Sequence, residues 1–590
     1  MTLPPKRAGL IFPVRPAPPT QPTEVGVFVP PEAVFSGVKG TEQELLGCLA
    51  ELSRDDTLFH AARLNTLISG PEDFDVRGRQ QRALSWVCTP EQIGRINAFI
   101  RSRGNTAGPT TIFFRGQILE LVRWVARYSK NKPGDGNTFE DPRKREAFVK
   151  ALLIASALWG SRVFRDTLSG GSSISETRLR AIGSMRKGVE ESNLGPHLGV
   201  ALARGRAIFA GHLPTRSPQF GKLFLEATGL TLDQYRACVA SLSIYTIFNR
   251  KEGPMFVTHS VANATALKDV FPRYFEQEGQ SAEQLAHSLW HDFKTNGYRA
   301  LRERPIFVAA DGRGIILDPT FYAEKVSIAP FFYALRLLRG GKANTFFADF
   351  GLAFQDYITA MLRRMYPIGA GLFDRLALGW LGSDAKGKGF EIDAALLDVS
   401  AAAVFEIKAA WLREDAIAND THEVLIDHIR EKYGVSPKKG ERDKGVAQLA
   451  RSIGAVVRAE WLGPNNAFMG VNRLHPVLLV HDTRMDTPAL GQFLDGEFRR
   501  LLGPVPEGKT VAPLTVMTVQ DIEGLESSVE AFTLIDLLDA YAAACPDRLR
   551  SLHNFMAFSD YGRKIVPSRF LMENAEEVLQ VLQRELSESS

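Results

Sequence analysis

Hydrophobic and polar positions change their period several times along this chain, and the changes divide it. Residues 1–34 hold nine prolines, including Pro4-Pro5, Pro18-Pro19 and Pro30-Pro31. That density excludes regular helix and predicts an extended strap over residues 1–40. From Thr41 the apolar residues recur at helical spacing. Glu42, Glu44 and Leu45–Leu49 open one helix, and Thr89-Pro90-Glu91-Gln92 reads as an N-cap with proline in the first helical position. Across Ile112–Tyr128, Phe114, Ile118, Leu121, Val122 and Val125 form an apolar stripe, with Arg123 and Arg127 on the other side. Another apolar helix is predicted over 145–168, ended by the Ser169–Ser173 loop. Phe220–Ala227, the turn Thr228-Gly229-Leu230 and a helix from Thr231 through Ile247 resemble a helix-turn-helix, but the pattern is common and ordinary bundle packing is the favoured reading.

After Trp290 the period shortens. Arg304–Val308 and Gly314–Leu317, separated by the turn Ala310–Arg313, predict a hairpin, and Phe331–Leu338 resumes a helix. The C-terminal half then alternates. Helix is expected at Ala348–Met365, strand at 376–380, 389–398 and 401–409, and a polar loop with charge runs at 411–442. A helix at 443–459, a strand at His475–His481, a helix at 487–502 and a strand at Val511–Val519 follow. This order is an α/β layer plan with a mixed central sheet. The expected fold class is α+β and multidomain. Its parts are the strap, a mainly helical domain over 41–300, a hairpin connector over 301–342, an α/β domain over 343–525 and a helical extension over 526–590.

Composition narrows the classes. At 590 residues the chain exceeds a single core, and its 45% hydrophobic and 23% charged residues exclude wholesale disorder. Apolar runs such as Ala151–Trp159 and Val477–Val480 fall far short of the ~20 residues of a membrane span. Lys6 and Arg7 are followed only by the proline-broken Ala8–Val14, so no secretory signal is read and a cytoplasmic location is expected. Cys48, Cys88, Cys238 and Cys545 lie apart and are expected to be free thiols. His422, His428, His475 and His481 have no ligand-like spacing, so metal chemistry must rest on carboxylates, which favours magnesium or manganese over zinc. No G-x-x-x-x-G-K-[ST] run occurs, which excludes an ATP motor of that type. Net charge is only +4, yet residues 101–250 carry 23 Lys and Arg against 11 Asp and Glu, while residues 501–590 carry 7 against 14. A basic middle suits a polyanion. Arg101, Arg103, Arg123, Arg127, Lys130 and Lys132 are its candidate nucleic-acid contacts, with Lys444 a further one in the C-terminal half. The oligomeric state and any protein partner stay open.

The candidate chemistry lies in Gly387–Ala410. Glu391 and Asp393 are two apart, so on a strand they share a face, with Phe390, Ile392 and Ala394 on the other. After a turn at Asp398–Ala401, Glu406 and Lys408 alternate with Phe405 and Ile407. A hairpin places these acids and the lysine together, and burying them costs several kcal/mol unless they pair or bind a cation. Gly382–Gly389 is glycine-rich but precedes a strand, which reads as a loop beside the site rather than a dinucleotide cradle.

Asp393, twelve intervening residues and then Glu406-Ile407-Lys408 resemble the motif of the PD-(D/E)XK, or restriction-endonuclease-like, nuclease superfamily. Lys444–Leu449 looks like the helix that carries the superfamily's frequent glutamine, here Gln448. The resemblance covers roughly residues 345–520. It implies a restriction-like α/β domain and Mg²⁺, or Mn²⁺, held by Asp393 and Glu406 with the Ile407 carbonyl. Lys408 would orient or deprotonate the attacking water. Members often carry Glu on the preceding helix, where this chain has Gln355. Glu391 is then the candidate third acid, unless it pairs with Lys386 or Lys388. The function so implied is a Mg²⁺-dependent nuclease, with DNA placed ahead of RNA as substrate and the choice between them left open, in a layout similar to bacterial antiviral or restriction-type effectors. A repair or recombination nuclease is the alternative, and so is a non-catalytic nucleic-acid-binding scaffold with a retained fold.

Overall fold

The computed structural model describes residues 27–69, 76–103, 110–129, 139–164, 198–248, 255–263, 267–295, 297–368, 375–418, 422–435, 443–486, 490–548 and 550–587. It is mixed α and β, mainly helical, with three sheets. A two-stranded parallel sheet joins β1 (Val27–Phe28) to β2 (Thr110–Thr111). A four-stranded sheet is ordered β3 (Met255–Val257), β6 (Arg313–Ile316), β5 (Ile306–Val308), β4 (Gly279–Gln280). The predicted hairpin is thus its β5–β6 centre, and β3 and β4 were too short to show as alternation. The prolines do not exclude helix throughout: Pro31 opens a turn at Pro31–Val34 from the first helical position, where its missing N–H costs nothing. Val29, Val34 and Phe35 are buried in the N-terminal core.

Helix starts follow their caps. Thr41 with Glu44 and Thr89 with Gln92 form capping boxes at the heads of Glu42–Glu51 and Pro90–Ser102. Phe220–Thr228 ends on left-handed Gly229, and the Leu232–Phe248 helix follows. Phe220, Phe224 and Tyr235 are all buried, with Phe220 stacked on Phe346, so this pair is packed in a helical bundle. All four cysteines are buried free thiols. Among the described residues no helix is long and apolar enough to cross a membrane.

The third sheet has β7 (Leu376–Ser383), β8 (Gly389–Leu397), β9 (Ala401–Lys408), β10 (Arg473–Val480), β11 (Thr510–Val511) and β12 (Thr515–Thr518). β7, β8 and β9 are antiparallel, β10 is parallel to β9, and β11 and β12 both pair in parallel with β10. Pro513 lies between β11 and β12, which explains two short strands where one was expected. One sheet face packs on the long Gly341–Met365 helix, which begins seven residues earlier than expected. The other packs on His422–Lys432, Val446–Val457 and Leu490–Leu502. The first of these, with Glu414–Ala418, replaces the polar loop expected at 411–442. Leu425, Ile429 and Tyr433 face the core at helical spacing, while exposed Glu423, Asp427 and Glu431 make up the charge run. Residues 436–442 lie outside the described residues.

His60 sits in the N-terminal core against Phe139, at 4.2 Å between ring centroids, with Trp86 and Phe148 at 6.0 Å. Burial, reinforced by the Arg63 charge, lowers its pKa to about 4. A folded-state pKa below the ordinary value near 6.5 means that the unfolded chain takes up the proton first. Stability from the neutral ring is then complete above about pH 6.5 and is lost as pH falls toward 4, at ~1.4 kcal/mol per pH unit. His60→Phe should therefore show a smaller drop in unfolding midpoint between pH 7 and pH 5 than the wild type, measured by thermal melts. An equal drop in both contradicts this placement.

Candidate active site

The Asp398–Ala401 turn joins β8 to β9, closed by the Asp398 N–H on the Ala401 carbonyl at 2.8 Å. From there the strands pair in register as far as Ala394 opposite Phe405, and no further. At this point the Ile407 N–H donates to Asp393 Oδ2, 2.7 Å away, so a side chain takes the place of a strand carbonyl and the strands part. The same position disturbs β7, whose ladder to β8 skips Gly379 and Asp393; Gly379 has φ +60°. Strict alternation fails there. Phe390, Ile392 and Ala395 pack on one side of the sheet and Ala394 and Leu396 on the other. The expectation that Ala394 shares a face with Phe390 and Ile392 is corrected by this kink.

Beyond the fork, Glu406 and Lys408 alternate with Phe405 and Ile407 as expected, the latter two buried. Lys408 Nζ lies 2.6 Å from Glu406 Oε1, which also accepts the Gly445 N–H at 3.0 Å. Gly445 precedes the Val446–Val457 helix with φ +60°, and a Cβ there would stand 2.2 Å from the Tyr433 carbonyl oxygen. Only glycine brings the backbone this close. Asp393 Oδ1 accepts from Gln355 Nε2 at 3.1 Å, so the long helix reaches the fork from the opposite side.

Electrostatics ties the groups together. Burial pushes Glu406 up to about 7; Lys408 pulls it back and Asp393 pushes it further. Burial likewise raises Asp393, against the pull of Lys408. Burial alone would depress Lys408, but the charges of Glu406 and Asp393 outweigh it and raise its pKa. Two buried carboxylates, one of which opposes the ionisation of the other, are a site for a positive charge, which here is the ammonium of Lys408.

Glu391 is exposed, and its charge acts on both Asp393 and Lys408. Among the described residues its carboxylate has no hydrogen bond or ion pair, and Lys388 is held by Asp443 at 3.0 Å. Gln448 stands at the rim, its Nε2 donating to the Glu391 backbone carbonyl at 3.0 Å. Lys444 is exposed just ahead of Gly445. Gly382–Gly389 forms a tight hairpin rather than an open loop: Ser383 pairs with Gly389, and Asp384 accepts the N–H groups of Lys386 and Lys388. Behind Lys408, neutral His481 is enclosed by Phe350, Phe354 and Trp411; burial pushes its pKa to about 3.

Among the described residues no group of three His, Cys, Asp or Glu side chains is gathered to hold a metal ion. The fork offers two carboxylates, with Glu391 as a separate third acid. An all-oxygen set with opposed carboxylates fits a hard divalent cation better than zinc.

The basic candidates are not one surface. Arg101 and Arg103 are exposed at the end of Pro90–Ser102, and Arg127 is half-buried over the Trp290 ring, 3.7 Å from its centroid. Lys130 and Lys132 lie outside the described residues. Arg123 is corrected: it is 1% exposed and pairs with Glu120 at 3.0 Å, so it belongs to the core. Sequence reading also missed Gly445. Its signal was a glycine where a helix of this kind would otherwise have Ser, Thr, Asp or Asn as N-cap.

No family model, curated protein or solved structure matches the chain.

Arg123→Ala leaves Glu120 buried beside Trp124 without its cation and should cost about 3 kcal/mol of stability. Arg101→Ala should stay within about 0.5 kcal/mol. Thermal unfolding separates the two, and a harmless Arg123→Ala would return that residue to the surface.

Proposed function

We propose that this chain is a divalent-metal-dependent nuclease that hydrolyses phosphodiester bonds of DNA. The observation that carries the reading is the fork of β8 and β9, where Asp393, Glu406 and Lys408 meet, with Gln355 and Gly445 holding the acids from the two sides of the sheet. The order of a helix, three antiparallel strands, further helices and a parallel strand supports the reading.

Each residue has a part that its position supports. Asp393 and Glu406 would hold Mg²⁺ or Mn²⁺, with the Ile407 carbonyl as a further oxygen. The bound cation supplies Lewis-acid polarisation of a phosphoryl oxygen. Lys408 places an ammonium beside the same acids, where it orients the attacking water and offsets charge that builds on the phosphoryl oxygens. Lys408, which neutralises Glu406 at 2.6 Å, would share that carboxylate with a cation held there. Glu391, exposed on the strand that carries Asp393, would be the further acid for a cation or its water. Gln448 fixes the strand that carries Glu391, and exposed Arg101, Arg103 and Lys444 are the basic groups left to meet the polyanion.

Purified protein with Mg²⁺ or Mn²⁺ should cut plasmid or linear duplex DNA, with single-stranded DNA and RNA as comparison substrates. Asp393→Ala, Glu406→Ala and Lys408→Ala should each lower cleavage by at least ~10²-fold. Activity that survives EDTA, or any one of these variants, rules the reading out. Glu391→Gln should raise the metal concentration for half-maximal cleavage, and Gln355→Glu should partly restore it by supplying a carboxylate from the helix side. An unchanged metal dependence in Glu391→Gln leaves a site of two acids.

A further inference from the structure

Three successive side chains of the Gly341–Met365 helix, Gln355, Asp356 and Tyr357, each make a polar contact with a different partner. Successive residues of a helix point about 100° apart, so contacts from three in a row fix both the rotation and the height of that turn. Gln355 donates to Asp393. The Asp356 carboxylate accepts two parallel bonds from Arg216, both 2.7 Å. The Tyr357 hydroxyl donates to Glu523 Oε1 at 2.7 Å, and the same carboxylate takes the Arg204 guanidinium at 2.7 and 2.6 Å.

The two arginines share one origin. Leu198–Arg206, the π-helical Ala207–His212 and Leu213–Arg216 run on without a break as a helical rod. Arg204, inside the rod, and Arg216, at its C-terminal end, reach neighbouring residues of one turn of the long helix, Arg204 by way of Glu523. The grips differ. Arg204 and Glu523 are 1% and 2% exposed, and Tyr357 is fully buried, so this grip is a fixed pivot. Arg216 and Asp356 are 41% and 32% exposed. A solvated pair of this kind adds little to global stability, yet two parallel bonds from a planar guanidinium specify geometry. Directly before both gripped residues stands Gln355, whose amide orients Asp393.

We infer that Arg216 is a positioning residue. Through Asp356 it sets the rotation of the turn that presents Gln355, and so decides how firmly Asp393 is held on the Ile407 N–H at the fork. The rod lies outside the 343–525 segment and within the basic 101–250 region, so events in the N-terminal half have a direct mechanical route to the acids. This deepens the nuclease reading by naming how its site is set, but the coupling itself does not depend on any cleavage.

The test is residue-resolved hydrogen exchange at the Ile407 amide in the full chain, which needs no metal or substrate. Arg216→Ala and Asp356→Ala should each speed that exchange about threefold to tenfold, the range expected of coupled neighbours. Amides of the distant Arg115–Tyr128 helix should not change. Gln355→Ala should speed Ile407 by at least as much, and adding Arg216→Ala to it should change nothing more. The charge-reversed pair Arg216→Asp with Asp356→Arg should return exchange toward the wild-type rate. The inference is overturned if Arg216→Ala leaves Ile407 unchanged. It is equally overturned if the distant helix speeds in parallel, or if the effect persists in the Gln355→Ala background. Failure of cleavage assays would remove the nuclease reading and leave this result standing on its own.

Discussion

The structure turns on one substitution of hydrogen-bond acceptor. At the end of the β8–β9 ladder the Ile407 N–H is taken by the side chain of Asp393. A buried N–H must find an acceptor, and a carboxylate placed between two strands satisfies it while forcing them apart. Much of the local architecture follows. β7 accommodates the kink at Gly379, the alternation of inward residues changes side at Asp393–Ala394, and a gap opens between the strands next to Glu406 and Lys408.

The cost of the gap is electrostatic. Asp393 and Glu406 are buried, burial raises both pKa values and Asp393 raises Glu406 further, so each needs compensation that the sheet cannot provide. It arrives from the two covering layers. Gln355 on the long helix donates to one acid and the Gly445 backbone to the other, while Lys408 neutralises Glu406 directly. Every one of these partners sits on a constrained backbone: a helix tied at three successive residues, a glycine with positive φ under a carbonyl, a strand paired on its far side with β10. A rigid frame around groups that would prefer not to be charged together is how protein sites keep affinity for a cation in reserve.

Much of this was legible in the sequence because its signals are local. Alternation marked β7, β8, β9 and β10, and the acid and lysine spacing named Asp393, Glu406 and Lys408 before any coordinates. Gln355 was legible only as a departure, an amide where an acid was anticipated; its bond to Asp393 is a tertiary fact. What sequence could not carry depends on partners distant along the chain. Arg123 reads as a basic face until Glu120 and Tyr298 enclose it. The His422–Lys432 helix reads as a polar loop because its charges outnumber the few apolar residues that bury it. The Arg204–Glu523 pair joins residues 319 apart, beyond any periodicity.

The most direct measurement is anomalous diffraction from crystals of the full chain soaked with Mn²⁺. The predicted result is a single strong peak at the β8–β9 fork, within about 2.2 Å of carboxylate oxygens of both Asp393 and Glu406, with Lys408 Nζ drawn away from Glu406. A fork without a peak, with Lys408 still seated on Glu406 while manganese binds elsewhere or not at all, would contradict the site.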